Sequence, residues 1–396
     1  MNTVFWISVG IVFYTYLGYG LVCWLLLRLR PARPPAPTPQ NEEEWPAATM
    51  LIAAYNEAGI IEAKIANTWS LDYPSDKLKI LVVADGSDDN TGAIVRQYPQ
   101  VRLLHKPERR GKMAAVKRAM PFVETPITIL TDANALLNPE ALRHLLAPFR
   151  YSEVGAVAGE KRIVSADDAP ANAAGEGLYW KYESFLKQQD AQLNSIVGAA
   201  GELYAVRTDL FQYIPDDTIL DDFVQTLRIA MLGYRVDYSP EAQAEETASA
   251  NIGEELKRKI RICTGGFQAI GRLAPLLNPF RYGLLSFQYI SHRVLRWTIA
   301  PLLLPVILVS NSWLALTGSL FFRGLLVLQL AFYLLAGLGY LLRHRPAPFP
   351  GFFAPFYFLI MNYSVYAGFL RFLQRKQSVT WEKAKRMEII LKDDSK

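Results

Sequence analysis

Four long stretches without a charged residue bracket the chain, one at its start and three near its end. The first, Thr3–Leu27, is long enough, at about 1.5 Å of rise per residue, to cross a hydrocarbon core about 30 Å thick. Arg28, Arg30 and Arg33 follow at once. A secretory signal carries its positive charge ahead of the apolar run, and here the charge comes behind it. The positive-inside bias therefore predicts an N-terminus outside and residue 28 onward in the cytoplasm. The later runs are Trp297–Phe322, Gly324–Leu342 and Pro346–Leu370. Only Arg323 separates the first two, as in a tight outer turn, and Arg343, His344 and Arg345 suit an inner one. The last run sets up a conflict. A full crossing puts the C-terminus outside, yet Arg371, Arg375, Lys376, Lys383, Lys385 and Arg386 favour the inside. Pro346, Pro348, Pro350, Pro355, Asn362 and Tyr363 within it suit a re-entrant or interfacial path. Four spans are expected.

The rest of the composition narrows the class. The 396 residues leave room for two to three domains, and only 20% of them are charged. Soluble domains carry about 25%, so disorder and a highly charged nucleic-acid binder are both excluded. The net charge of +5 suits an anionic inner leaflet better than a phosphate polymer. Cys23 and Cys263 are the sole cysteines, and His105, His144, His292 and His344 never pair at ligand spacing. A disulfide scaffold and a zinc site are therefore not expected.

After the first span comes a Pro-rich, then acidic, linker over 29–46, stiff enough to act as a spacer. From 47 to about 250 the pattern is that of an α/β domain with a mostly parallel sheet. Ala48–Tyr55, Lys79–Asp85, Val101–His105 and Ile127–Asp132 read as buried strands. Helices are expected at Glu57–Leu71, at Gly111–Met120 and from Asn138, with Asn138 as N-cap and Pro139 first inside. Basic amphipathic stretches at Gly177–Asn194 and Ile252–Cys263 read as interfacial helices, or as ordinary surface helices of the domain. The chain thus divides into a helix at 1–28, the linker, the domain, basic helices at 251–296, a membrane bundle at 297–371 and a basic tail at 372–396.

Ligands of open α/β sheets bind outside the carboxyl ends of the strands. Those ends carry Tyr55, Asn56 and Glu57, then Asp85 to Asp89, then Asp132 and Asn134. N-capping explains Asp89 or Asn90, but not Asp85 or Asp132. If the chain stays extended past Asp132, Asp132 and Asn134 point the same way and can share a cation. Oxygen ligands suit Mg²⁺ or Mn²⁺ with a substrate phosphate. Arg109, Arg110 and Lys112 at a helix start make an anion site or a solvated basic turn. Asp221 and Asp222 are adjacent like charges, and one pKa raised by the other suits a general base. Arg258 and Arg261 share a helical face and could neutralise a leaving diphosphate, unless they mark a plain membrane-surface helix.

Together these motifs resemble the membrane-bound, inverting glycosyltransferases of family 2, which include cellulose, chitin, hyaluronan and poly-N-acetylglucosamine synthases and the ceramide glucosyltransferases. The resemblance runs from about Ala47 to Gly266 and on through the C-terminal bundle. It implies a GT-A type, nucleotide-sugar-binding domain inserted between transmembrane helices. AAYNE looks like the first donor-binding strand, implicating Tyr55 and Glu57. VVADGSDDNT is similar to the D-G-S-x-D turn, implying that Asp85 binds the nucleotide. RRGKMAAVKRAM implicates Lys112, and TDAN implicates Asp132 and Asn134 around metal and diphosphate. GAAGELYAVR resembles the acceptor-side segment, and LDDF the element whose second acid, Asp222, is the base. Three departures stand out. Asn134 replaces a commoner Asp, Lys117 replaces a common Asn, and Q-x-x-R-W appears as Arg258-Lys259-Ile260-Arg261-Ile262, without its Trp.

The resemblance implies a UDP-sugar donor, Mg²⁺ or Mn²⁺, and transfer with inversion to an acceptor hydroxyl. Localisation follows as the bacterial inner (plasma) membrane with a cytoplasmic catalytic domain. Two acceptors stay open: a growing polysaccharide, which the multispan bundle suits, and a membrane lipid, which the missing Trp suits. A non-catalytic nucleotide-sugar-binding scaffold is the rival from another class. No nucleic-acid partner is expected, and any export partner is unreadable.

Overall fold

The computed structural model describes residues 1–29, 34, 39, 41–164, 171–247, 249, 251–318, 320–342 and 350–376. Much of the 29–46 linker, the inner turn at Arg343, His344 and Arg345, and most of the basic tail lie outside those residues.

Eight strands form one sheet in the order β3-β2-β1-β4-β7-β6-β8-β5. They are β1 Ala48–Ala54, β2 Leu78–Asp85, β3 Val101–Lys106, β4 Ile127–Asp132, β5 Leu136–Leu137, β6 Val154–Val164, β7 Leu203–Arg207 and β8 Arg235–Thr247. The first four lie parallel, β7 runs antiparallel between β4 and β6, and β6 pairs parallel with β8. The four expected strands are all present. The second half of the sheet was not read from the sequence.

Period-two alternation divides the buried residues between the two faces. Leu51, Leu81, Val83 and Leu130 meet Met113 and Val116 on one side. Met50, Ile52, Val82 and Ile129 meet Ile61, Ile65, Leu142 and Leu145 on the other. The parallel register pairs Ala53 with both Val83 and Asp132, so Asp132 and Asp85 lie at the same edge of the sheet with Asp85 two residues further out.

Two helix starts need correction. The first helix is Ile61–Trp69. Residues 57–60 form a preceding turn in which the Glu57 carbonyl accepts from the N–H of Ile60 and of Ile61. The helix expected from Asn138 is Ala141–Leu146, and Asn138 does not cap it. Its side chain instead accepts from the Gln243 N–H at 2.8 Å, and its own N–H donates to the Gln243 carbonyl. The β8 edge supplied a stronger demand for its hydrogen bonds than the helix end did.

Among the described residues four helices are long and apolar enough to cross a membrane: Asn2–Arg28, Ile299–Leu316, Leu320–Leu341 and Phe353–Leu373. Phe5 sits against Phe322 with ring centroids 5.3 Å apart, at the end of the first helix away from Arg28. The Ile299–Leu316 and Leu320–Leu341 helices turn back at that same end, where Arg323 Nε donates to the Ala315 carbonyl. The last helix lies along Ile252–Arg272: Phe369 meets Phe267 at 5.0 Å, and Tyr357 Oη donates to Glu255. It also touches the first helix, where Tyr16 Oη donates to Asn362 at 2.7 Å.

The amphipathic stretches turn part of their charge inward rather than toward lipid headgroups. All of Gly177–Asn194 but its last residue lies in helix Ala171–Leu193, whose Glu183, Lys187 and Asp190 are buried. Asp190 accepts from Tyr19 Oη of the first membrane helix and pairs with His292 at 2.6 Å. Glu183 holds Arg293 at 2.9 Å and also Arg296. In Ile252–Arg272, Glu255 and Lys259 are buried, and Glu255 pairs with Arg258 at 2.9 Å. Buried charges need partners, and these helices supply them to one another. The result ties domain to bundle.

Candidate active site

The carboxyl ends of β1, β2 and β4 and the helices that follow them build the site. Hydrogen bonds knit the first two loops together. Asn56, at φ +53°, donates its carboxamide N–H to Asp88 at 2.7 Å, and its backbone N–H donates to Ser87. Asp89 accepts from the Thr91 N–H at 2.9 Å and the Ala58 N–H at 3.0 Å, so it ties the two loops together; the N-cap of helix Thr91–Val95 is Asn90, whose side chain does not cap it. The Glu57 N–H donates to Thr91 Oγ1. Arg109 lies over the Tyr55 ring, 3.6 Å from its centroid, so one face of that ring is covered by a guanidinium.

Asp85 has a defined structural task. Its Oδ2 accepts from the backbone N–H of Arg110 at 3.0 Å and of Gly111 at 2.7 Å, and Arg118 stands 3.5 Å from Oδ1. The carboxylate therefore occupies the N-terminus of helix Lys112–Ala119, where the sequence suggested a site for a ligand's anion.

Lys112, Asp132, Gly201 and Asp222 converge. Lys112 Nζ donates to Asp132 Oδ1 at 2.6 Å and reaches the Gly201 carbonyl at 3.5 Å. A Cβ added to Gly201 would lie 3.2 Å from both Asp222 Oδ2 and Lys112 Nζ, so these two groups flank one small space. Burial opposes the Lys112 charge, but Asp132 and Asp221 overcome it and hold the ammonium well above its usual pKa. Burial, then the neighbouring Asp221 charge, push Asp222 up to about 7. Arg261 faces the same acids. Burial lowers its pKa, and Asp221, Asp132 and Asp222 counter that shift.

Asn134 does not extend the strand. β4 ends at Asp132, and the next residues turn, with the Ala135 N–H donating to the Asp132 carbonyl. The alternate-residue argument therefore fails, although both side chains remain at the same strand end. The Asn134 side chain makes no hydrogen bond among the described residues. Asp221 Oδ2 is buried and likewise meets no donor among them. Among the described residues no three His, Cys, Asp or Glu side chains converge as a metal cage, so a divalent cation held by Asp132 and Asn134 would also need the oxygens of a bound phosphate.

The sequence reading missed two groups behind this front. Lys64 is fully buried and donates to Thr131 Oγ1 at 3.1 Å and to the Ala135 carbonyl, bracing the turn after Asp132. Burial lowers it to about 7. Its signal was legible: Ile61, Lys64, Ile65 and Thr68 form one apolar stripe with a lysine in it. Lys161 on β6 lies between Glu202, just ahead of β7, and Glu246 on β8, the latter at 2.5 Å. Burial acts against the Glu202 charge, but Lys161 more than compensates and holds the carboxyl well below its usual range. Replacing Lys161 by Met leaves two buried carboxylates without that cation. The expected loss is about 3–5 kcal/mol, read as a lowered thermal midpoint. A midpoint within a degree of wild type would contradict it.

Arg258 pairs with Glu255, whereas Arg261 faces the site, so the two arginines do different work. The position of the missing Trp is Ile262. An indole does stand beside this segment: Trp180, whose ring centroid lies 5.6 Å from Lys259 Nζ and 5.3 Å from Lys161 Nζ.

A parallel half-sheet with acids at its carboxyl edge, continued by a mixed half that carries a candidate base, defines a nucleotide-sugar transferase fold of the GT-A type. The sequence pattern of the glycosyltransferase-like family 2 matches residues 46–265, more than half of the chain, and the chain belongs to that family. A poly-β-1,6-N-acetyl-D-glucosamine synthase of Staphylococcus aureus (strain MSSA476) is 25% identical over 244 residues, 59% of this chain and 57% of that protein. The match therefore spans little more than half the length of that relative. The synthase of that name from Staphylococcus epidermidis is 21% identical over 77% of this chain and 74% of that protein. Among solved structures, a mannosyltransferase of Pyrobaculum calidifontis, in complex with GDP-Man and Mn²⁺, superposes with a TM-score of 0.69. It is 24% identical, and the match covers 94% of this chain and 100% of that one. That likeness is one of fold.

Proposed function

We propose that the chain is a membrane-embedded inverting glycosyltransferase that moves a sugar from a UDP-sugar to an acceptor hydroxyl at the cytoplasmic face of a bacterial inner membrane, extending a polysaccharide. The observation that carries this is the shared space between Asp222, with its pKa near 7, and the Lys112–Asp132 pair. A base must be unprotonated near working pH and close to an anion-binding cation, and both conditions meet there. Asp222 takes the proton of the acceptor hydroxyl. The oxygen forms its bond to the anomeric carbon as the bond to the diphosphate breaks on the opposite side, and the diphosphate leaves with the electron pair. Lys112 and Arg261 present positive charge to it. Asp132 and Asn134 would hold a divalent cation, which supplies further charge against the diphosphate.

The synthase relatives favour a polymer product. A single transfer to a membrane lipid is the second reading, and Ile262 in place of Trp supports it. One experiment separates them. Purified protein in a membrane mimetic is given a panel of UDP-sugars with Mg²⁺ or Mn²⁺. Sugar-dependent UDP release with a product that lengthens over time is the expected result. A product with one added sugar that partitions into organic solvent transfers the conclusion to the lipid reading. Bound UDP without release under any acceptor condition rejects catalysis.

A further inference from the structure

Helix Asp221–Met231 carries the acid pair in its first turn and starts from Leu220, an apolar residue whose side chain cannot accept from the first N–H groups. Packing holds the body of that helix, where Val224 and Leu227 are buried. The placement of its first turn depends on the segment 214–220 that leads into it. That segment is held from two sides. Lys117, on helix Lys112–Ala119, takes the far end: its Nζ donates to the Ile214 carbonyl at 3.2 Å and pairs with Asp216 at 2.6 Å.

Helix Ile252–Arg272 takes the near end. The Gln268 carboxamide bridges two backbone groups there. Its Nε2 donates to the Asp217 carbonyl at 2.8 Å, and its Oε1 accepts from the Ile219 N–H at 2.9 Å. One turn on, Arg272 pairs with the Asp217 carboxylate at 2.7 Å and donates to Thr218 Oγ1. Ile219 lies three residues before Asp222. The helix that supplies this grip is itself seated on the last membrane helix. Thr264 Oγ1 donates to the Gly368 carbonyl at 3.2 Å, and a Cβ added to Gly368 would come 2.7 Å from Cys263 Cβ. Packing that close leaves little room for one helix to slide on the other. Phe267 meets Phe369 of the membrane helix, while Gln268, next to it in the chain, reaches the segment ahead of the acids.

We propose that Gln268 is a positioning residue for Asp222, fixing the backbone ahead of the base against a helix seated on the membrane bundle. This rests on Asp222 being the base. Gln268 acts through the chain and takes no part in the proton transfer. A donor and an acceptor on one planar amide fix both the position and the rotation of the segment they hold. A base works only within hydrogen-bond reach of the hydroxyl it deprotonates, so a small displacement of that segment is costly.

The test is a double-mutant cycle on the full chain in a membrane mimetic, read as nucleoside diphosphate release from the donor that supports turnover. Wild type, Gln268→Leu, Asp222→Asn and the double variant are compared. Gln268→Leu keeps most of the side chain's bulk and removes both hydrogen bonds. It is expected to lower kcat by about tenfold to a hundredfold, the scale of an ångström of misplacement, with donor KM within about twofold of wild type. In the Asp222→Asn background the same change should alter residual turnover by less than about twofold, because the base it positions is gone. Arg272→Gln loosens the same segment from the next turn and should repeat the pattern, and it decides the matter if Gln268→Leu is not monodisperse. An equal fold loss in both backgrounds makes the role merely structural and overturns the proposal. So does an unchanged kcat in Gln268→Leu beside a severe loss in Asp222→Asn, or a loss confined to donor KM. Near wild-type turnover in Asp222→Asn overturns the base reading itself, and the proposal falls with it.

Discussion

Asp222→Asn is expected to lower nucleotide-sugar turnover by roughly 10²–10⁴-fold, the usual contribution of a well-placed general base, in a protein that still binds the nucleotide. Asn keeps the shape and can still accept from the Phe223 N–H, now 2.8 Å from Asp222 Oδ1. It cannot take a proton. The wild-type pH profile carries the same information. Burial and the Asp221 charge hold the carboxyl near 7, so turnover climbs as pH rises through about 7. Stability moves the other way. A carboxyl whose folded pKa is raised above its unfolded value binds more protons when folded, so stability falls as pH rises from about 4 to about 7. Asp222→Asn should therefore raise the thermal midpoint at pH 8 while losing activity. Near wild-type turnover in this variant removes Asp222 from the base role.

Lys112→Met is the second large effect, about 10²–10³-fold in turnover, the scale seen when one preorganised charge-stabilising donor is removed. It differs from Asp222→Asn in how the loss divides. The ammonium lies against Asp132 at 2.6 Å, and its removal leaves that buried carboxylate without its cation. Donor affinity and folding stability should drop along with turnover, whereas Asp222→Asn spares both. Lys112→Arg restores the charge with a different reach, so partial recovery of UDP affinity is expected. A Lys112→Met enzyme with unchanged donor affinity and turnover would mean that the diphosphate lies elsewhere.

The parallel half of the fold was legible because β1, β2 and β4 are largely apolar runs, and β2 and β4 end on acids, Asp85 and Asp132. The mixed half was not. β7 and β8 contain Arg207, Glu245 and Glu246 in their runs, and Lys161 breaks the apolar pattern of β6. Those charges look like loop until Lys161 is seen to pair with both Glu202 and Glu246 across three chain segments. Asp222, Lys112 and Arg261 could be named from sequence since their chemistry is local to a motif. The binding role implied for Asp85 gave no hint of its hydrogen bonds to Arg110 and Gly111, 25 residues or more away in the chain. Asn138 shows the general limit: a good cap in isolation, it was drawn off by a strand distant in sequence.

The adjacent glycines Gly265 and Gly266 have a mechanical meaning. A Cβ on Gly265 would come 2.7 Å from Leu220, one residue before the acidic pair, and one on Gly266 would come 2.7 Å from the Trp297 ring. Helix Ile252–Arg272 thus presses bare backbone against the residues just ahead of the acidic pair and against an indole at the entrance to the membrane bundle. Trp297 lies 32 residues beyond the last position matched by the family pattern, at 265. A fragment cut at that boundary ends inside helix Ile252–Arg272, at Gly265, and loses both Gly266 and Trp297. Any truncation meant to free the transferase from the bilayer has to keep the chain at least through Trp297. The catalytic unit is then larger than the family domain, and its smallest portable form already carries part of its membrane apparatus.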